Sequence, residues 1–222
     1  ALIDKAGLMA GMPVGPLALA DEVSIELVHK IAQQTRADLG AAYVERAADR
    51  VAAKMVAELG RLGRKSGAGF YDYPAEGSKH LWPGLGEHFR ARVPAGTQSA
   101  GADEAPAQQG GRAKNALLAA ADGDTAIPTV DEIIERLILV QSVETARCLE
   151  EKVMRAPIDA DVGAILGWGY PPFRGGPIGW LHTLGVPAGV AALDRLAERH
   201  GARFAAPKIL RDMAAKGERF YP

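Results

Sequence analysis

The side chains that could do chemistry are few, and most sit where chemistry has no second partner. Five histidines, His29, His80, His88, His182 and His200, are the natural candidates for proton transfer or metal ligation. No two share the spacing that puts a pair of imidazoles on one helix face, and no His-Glu-x-x-His pattern occurs, so they read as surface or packing residues. The single cysteine, Cys148, stands among Ala146, Leu149 and Val153 with no activating base nearby in sequence. It reads as a small buried hydrophobe rather than a nucleophile. Glu150 and Glu151 are adjacent, and adjacent helical positions point in different directions, which describes a solvated edge better than an acid/base couple. No catalytic residue, metal ligand or cofactor ligand is therefore expected in this chain.

Three glycine-rich segments remain. Gly60-Arg61-Leu62-Gly63-Arg64-Lys65-Ser66-Gly67-Ala68-Gly69 mixes glycine with Arg, Lys and Ser as phosphate loops do. It lacks the G-x-x-x-x-G-K-[ST] spacing and no strand precedes it, so a flexible basic turn after a helix is expected, with cations able to complement a helix C-terminus or a phosphate. Gly11-Met12-Pro13-Val14-Gly15-Pro16 and Gly169-Tyr170-Pro171-Pro172-Phe173-Arg174-Gly175-Gly176-Pro177 are turns in which proline sets the entry to the next helix and glycine permits close approach. Such a turn is architecture first, and it can also bring backbone up to a ligand.

The elements that must position these turns are helices. Val44, Ala47, Val51, Met55 and Leu59 recur at spacings of three and four, a helical face that Gly60 can end; Val190, Leu193, Ala197 and Gly201 repeat the design. Thr129 followed by Glu132 is a capping-box signature for a helix running through Val153. Ile133, Ile134, Leu137, Ile138 and Val140 make that helix apolar on more than one side. No alternating stretch is long enough to predict a sheet. Ile134, Leu137, Ile138 and the turn at 169–177 are expected to hold the two halves of the chain together, with Cys148 inside the packing.

The two turns belong to a repeat. Each is followed by helix, then by Met55-Val56-Ala57-Glu58-Leu59 or Ile209-Leu210-Arg211-Asp212-Met213, and each unit closes on an aromatic end, Gly69-Phe70-Tyr71-Asp72-Tyr73-Pro74 or Arg219-Phe220-Tyr221-Pro222. The expected architecture is all-α, two tandem duplicated helical bundles, residues 1–79 and 128–222, packed as a pseudo-dimer. Residues 80–127 form a partly disordered linker, because 94–127 is dominated by Ala, Gly, Gln, Ser and Asp. Leu81, Trp82, Leu85 and Phe89, just before it, are apolar enough to pack across the first unit.

Composition bounds the rest. Twenty-six basic residues against 27 acidic ones leave a net charge of −1, which supplies no field for nucleic acid. No run approaches the roughly 18 apolar residues of a membrane span, and one cysteine favours a reducing, cytoplasmic setting. Ala1-Leu2-Ile3-Asp4 opens without Met in helix-like sequence, as a fragment of a longer protein would.

Taken together, these motifs resemble the paired C-terminal domains of 3-hydroxyacyl-CoA dehydrogenases in multifunctional fatty-acid β-oxidation enzymes. The segment from Gly11 to Val23 is similar to the family's G-x-P-x-G-P-x-x-L-x-D turn and helix. Gly63 to Tyr73 resembles its closing motif, and Glu144 to Glu151 with Gly169 to Gly176 resembles its second copy. The resemblance implies NAD-dependent oxidation of an L-3-hydroxyacyl-CoA, with the catalytic His and Glu in a preceding Rossmann domain that this sequence lacks. His88-Phe89 matches the family's His-Phe-Phe-Asn-Pro segment only superficially, because Arg90 and Ala91 follow it. The family's substrate-contacting Asn would lie upstream of Ala1. What carries over is the first turn, so Met12, Pro13, Gly15 and Pro16 are the expected substrate-cleft residues. NAD is expected for the full-length enzyme and no cofactor for this portion. The expected partners are acyl-CoA, held together with the upstream domain, and a thiolase subunit; the rival reading is a helical interaction module docking such a subunit.

Overall fold

A computed structural model describes residues 2–89 and 128–222 of the chain. Helix dominates it, as expected for the all-α class. In order come α1 (Leu2–Ala10), α2 (Pro16–Val23), α3 (Ile25–Leu39), α4 (Ala47–Ala57), the strands β1 (Tyr71–Asp72) and β2 (His80–Leu81), α5 (Leu85–His88), α6 (Val130–Glu150), α7 (Pro157–Trp168), α8 (Pro177–Leu184), α9 (Val186–His200) and α10 (Lys208–Lys216). One compact unit takes residues 1–82 together with 129–222, and a second takes 83–128. Most of the expected linker, residues 90–127, lies outside the described residues.

The long helix α6 is built as its sequence predicts, with two corrections. The Thr129 side chain accepts from the Glu132 amide at 3.2 Å, which satisfies one of the orphan donors at the helix start. Beyond that bond, the Glu132 carboxylate reaches the His200 Nε2 at 3.1 Å and Arg199 at 3.3 Å, so the cap is tied to the end of α9. One face of α6, through Leu139, Val143 and Ala146, enters a core with Ile178, Leu181, Leu193, Leu196, Phe204 and Leu210. A neighbouring face, through Ile138 with Ile134 beside it, meets Ala10 of α1, Ala164 of α7 and Tyr170. The first correction is that Leu137 and Cys148 are only half-buried: they fall between these two faces and outside both cores. The second is that α6 ends at Glu150, before the expected Val153, which is exposed.

The first helical face also starts later than its spacing predicts. Val44 is 78% exposed and lies ahead of α4, because the Asp49 carboxylate takes the Arg46 amide at 2.8 Å and the Tyr43 hydroxyl at 2.9 Å and so fixes the helix start at Ala47. Ala52 and Met55 are the residues that α4 buries fully. The strands, which no sequence pattern predicts, are an antiparallel pair in the register Tyr71 with Leu81 and Asp72 with His80. Two residues per strand are too few to show alternation in a sequence. Leu81 and Trp82 belong to the first unit, the Trp82 amide donating to Phe70 O at 3.0 Å, whereas Leu85 and Phe89 belong to the second. No helix among the described residues is long and apolar enough to cross a membrane.

Candidate functional site

The turn that should line a substrate cleft is held from below by a carboxylate. Asp4, on α1 and 6% exposed, accepts the Leu17 amide at 2.6 Å and the Ala18 amide at 3.2 Å, the first free donors of α2. An anion at a helix N-terminus meets both unpaired amides and the positive end of the helix dipole. The Tyr71 hydroxyl donates to the same carboxylate at 2.6 Å. Gly15 lies so close that a Cβ there would collide with the Asp4 carboxyl, which explains why glycine precedes Pro16. Of the four expected cleft residues, Gly15 is buried, Met12 and Pro16 are half-buried and Pro13 is exposed. They form one short turn, braced by the Met12 amide donating to Gly7 O at 3.0 Å.

A second carboxylate fixes the glycine-rich closing motif. Asp21, 1% exposed on α2, accepts from the Phe70 amide at 2.7 Å, the Tyr71 amide at 2.9 Å and the Tyr73 hydroxyl at 3.0 Å. Arg61 donates to Gly69 O at 2.7 Å, to Tyr71 O at 3.1 Å and to Asp72 at 2.5 Å, with its guanidinium 4.2 Å from the centroid of the Trp82 ring. The Ser66 hydroxyl closes the loop onto Gly63 O at 2.8 Å. The expected flexible basic turn is therefore a tied one, since a buried carboxylate and a largely buried guanidinium bond its backbone on both sides.

The second half contains the same arrangement. Asp161 on α7, 3% exposed, accepts the Ile178 amide at 2.7 Å, the Gly179 amide at 2.9 Å and the Tyr221 hydroxyl at 2.6 Å. A Cβ at Gly176 would strike this carboxyl, as one at Gly15 would strike Asp4. Burial, and then the bond to Asp4, pushes the Tyr71 hydroxyl up to about 12. The same two causes hold Tyr73 (bonded to Asp21) and Tyr221 (bonded to Asp161) well above the usual phenol range. All three stay protonated near neutrality, so they serve as donors and not as bases.

The two turns also touch. The Arg174 Nε donates to Ala10 O at 3.3 Å, a Cβ at Gly11 would meet the Phe173 ring, and one at Gly169 would lie 3.0 Å from Pro13 Cγ. Tyr170 is 1% exposed beneath them, its hydroxyl without a hydrogen-bond partner of good geometry although Ser142 lies near enough to bear on its titration. Sequence reasoning named the turns and missed Asp4, Asp21, Asp161 and Arg61. Spacing does not single out the clamping aspartates: Asp4 lies 11 positions before Gly15 and Asp161 lies 15 before Gly176, with Asp159 beside it on the same helix.

Among the described residues no group of three His, Cys, Asp or Glu side chains could hold a metal ion. Nor do these residues fit a dinucleotide. The strands described are one antiparallel pair of two residues each, and neither leads through a glycine turn into a helix that could receive a pyrophosphate.

Residues 1–73 match the family model of the 3-hydroxyacyl-CoA dehydrogenase C-terminal domain, and that span contains Asp4, the turn, Asp21 and Tyr71. That match covers about a third of the chain, which is similar to this dehydrogenase C-terminal domain over those residues. Over 219 residues, 99% of its length, it is 36% identical to the fatty acid oxidation complex subunit alpha of Shewanella amazonensis and 35% identical to that of Shewanella loihica. It spans about a quarter of the length of these relatives, 26%. A crystal structure of 3-hydroxybutyryl-CoA dehydrogenase from Escherichia coli K12 shares the fold, with a TM-score of 0.61 over 97% of this chain and 54% of that one, at 22% identity. The match to the C-terminal domain thus covers about the first third of the chain, and the similarity to the alpha subunits extends over 99% of it.

Proposed function

We propose that this chain is the substrate-cleft and packing portion of an NAD-dependent L-3-hydroxyacyl-CoA dehydrogenase of fatty-acid oxidation, working with a dinucleotide-binding and catalytic portion that lies outside these 222 residues. The observation that carries this reading is the family match over residues 1–73, within which the clamped turn falls. Met12, Pro13, Gly15 and Pro16 present backbone and half-buried apolar surface to the acyl-CoA, and Asp4 with Tyr71 keeps the turn at one height. The second half is a duplicate that packs on the first as a pseudo-dimer and lends it rigidity. NAD belongs to the complete enzyme, and the single cysteine fits a reducing, cytoplasmic setting.

The test uses an enzyme in which this chain follows its dehydrogenase portion. Met12→Asp is expected to raise the KM for 3-hydroxyacyl-CoA about tenfold, roughly 1.4 kcal/mol, while the KM for NAD stays constant. Equal changes in both constants, or none, would remove the turn from the cleft. The 222-residue chain alone is expected not to turn over substrate, and to bind NAD in calorimetry no more tightly than inorganic pyrophosphate.

A second reading rests on apolar side chains left exposed on the first three helices, Leu8, Met9, Leu19, Val23, Leu27 and Ile31. Such a face suits a protein partner, and a thiolase subunit is the partner this family resemblance points to. Co-purification that survives Leu27→Glu with Ile31→Glu would count against it.

A further inference from the structure

Beside the clamped turn, and separate from it, the tied basic loop forms one wall of an open cleft of about 560 Å³. Arg64, Lys65 and Lys79 line it together with Tyr73, Gly67 and Gly77, and no carboxylate is among its lining residues. In a chain whose net charge is −1, three cations around one cleft are a local concentration of positive charge. Of the acids nearby, Glu22 pairs with Arg64 and so takes up that cation's charge, Glu26 pairs with Lys30 at 2.7 Å, and Glu76, three positions before Lys79, is exposed and outside the lining. Neither Lys65 nor Lys79 is ion-paired among the described residues.

The platform beneath these cations is fixed. Arg61 and Asp21 bond the loop backbone from within, and the Tyr73 hydroxyl is held by Asp21 at 3.0 Å. The Arg64 guanidinium stands 5.9 Å from the centroid of the Tyr73 ring, and the Lys79 ammonium 5.3 Å from that of Tyr71. The aromatic faces thus sit under the charged heads themselves, which holds Arg64 and Lys79 at the cleft wall. Converging cations on an ordered loop, with solvent access and no competing carboxylate in the lining, recognise a compact multiply charged anion.

We propose that this cleft binds the clustered phosphates of a small metabolite, a pyrophosphate or a pair of phosphate esters, with Lys65 and Lys79 as its principal ligands. The site does not depend on the cleft role of Met12 to Pro16. If the dehydrogenase reading holds, the phosphates of coenzyme A are one source, and free nucleotide or inorganic pyrophosphate is the other.

The experiment is a calorimetric titration of the 222-residue chain with inorganic pyrophosphate, repeated with coenzyme A. Saturable binding is expected, weakening as salt is added, and falling by about tenfold or more in Lys65→Ala/Lys79→Ala. Lys216→Ala, which alters a cation in the other half, is expected to leave it unchanged. Both lysines of the double variant are exposed, so its thermal melt should match that of the parent. Coenzyme A that competes with pyrophosphate, and is weakened by the same substitutions, would assign the phosphates to the carrier; pyrophosphate binding without such competition would assign them to a free anion. Absence of saturable pyrophosphate binding, or equal loss in Lys216→Ala, would overturn the site.

Discussion

The two halves of the molecule use the same clamp around very different interiors. In each, an aspartate on one helix takes two amides at the start of the next helix and a tyrosine hydroxyl from the closing segment. Around Asp161 that clamp sits beside a core of large side chains, Leu139, Ile178, Leu181, Leu193, Leu196, Phe204 and Leu210. In the half that holds Asp4 the buried apolar side chains are mostly small, Ala6, Ala10, Ala18 and Ala52, with Ile25 and Met55 the large ones. Burial stabilises in proportion to apolar area, about 25 cal/mol per Å², so the second half is held chiefly by its core. The first half depends more on buried polar bonds: it adds a second buried carboxylate, Asp21, where the second half has, among the described residues, Asp161 alone. The role of Arg61 is matched there by Arg147, which donates to Arg203 O at 3.1 Å and Ala205 O at 3.0 Å. A region stabilised by a few directed bonds keeps its turn at a defined height and leaves its apolar side chains available for contact, which suits the half that bears the candidate cleft.

Four measurements bear on this contrast. The largest effect should come from Leu193→Ala, which removes a side chain of 0% exposure from the second core. A loss of about 2 to 5 kcal/mol in chemical denaturation is expected, and a loss below about 1 kcal/mol would mean that the second half is not core-driven. Next come the clamps. Asp4→Ala and Asp161→Ala each leave two helix amides and a tyrosine hydroxyl without their acceptor, a cost of about 1.5 to 3 kcal/mol. Hydrogen exchange should show the Asp4 variant loosening mainly α2 and the closing motif; protection lost evenly through both halves would contradict a local role.

The third measurement is alkaline stability. The Tyr71 pKa is raised from 10 to about 12 in the folded chain, and the Tyr170 pKa is raised as far, chiefly by burial. The folded state therefore holds these protons more tightly than the unfolded chain does. Their contribution is complete below about pH 10 and is lost as pH rises through about 12. Tyr71→Phe should flatten the stability profile in that window, read by circular dichroism, and an unaltered slope would disconnect Tyr71 from the fold. The smallest effect is expected at the bend between paired helices. Ser24 takes φ 85°, where the second half has Gly185 at φ 84°. Ser24→Gly relieves a strained backbone but loses the bond from the Ser24 hydroxyl to Leu62 O at 3.1 Å. The net change should stay within about 1 kcal/mol, and a larger loss would mean that the side-chain bond outweighs the relief of strain.

Helix, the buried faces of α6 and the two turns were legible because each writes a local rule into the sequence, whether periodicity, a cap or a proline before a helix. The clamps were not, because the bonds from Asp4 to Leu17 and from Tyr71 to Asp4 span 13 and 67 positions and a buried aspartate looks like any other until its donors are placed. Cys148 and Leu137 differ from expectation for the opposite reason. Their apolar neighbours suggest full burial, yet a helix gripped on two adjacent faces still has seams between them. The basic loop reads as flexible because its glycines are visible in sequence, while the Asp21 carboxylate that ties it lies far back in the chain, its bond to Phe70 spanning 49 positions.

That α1 packs on α6 has a consequence for how the polypeptide is made. About 120 residues separate Ala10 from Val130, and at synthesis rates of about 5 to 20 residues per second the second helix emerges roughly 6 to 24 s after the first. During that interval α1 has left the ribosome without the wall that covers Ala10. The clamp from Asp4 to α2 and Tyr71 needs only the first 71 residues, so it can organise the nascent first half before its hydrophobic neighbour exists. Translation would then order the molecule polar bonds first and shared helix last, with any chaperone engaged during the wait drawn to α1.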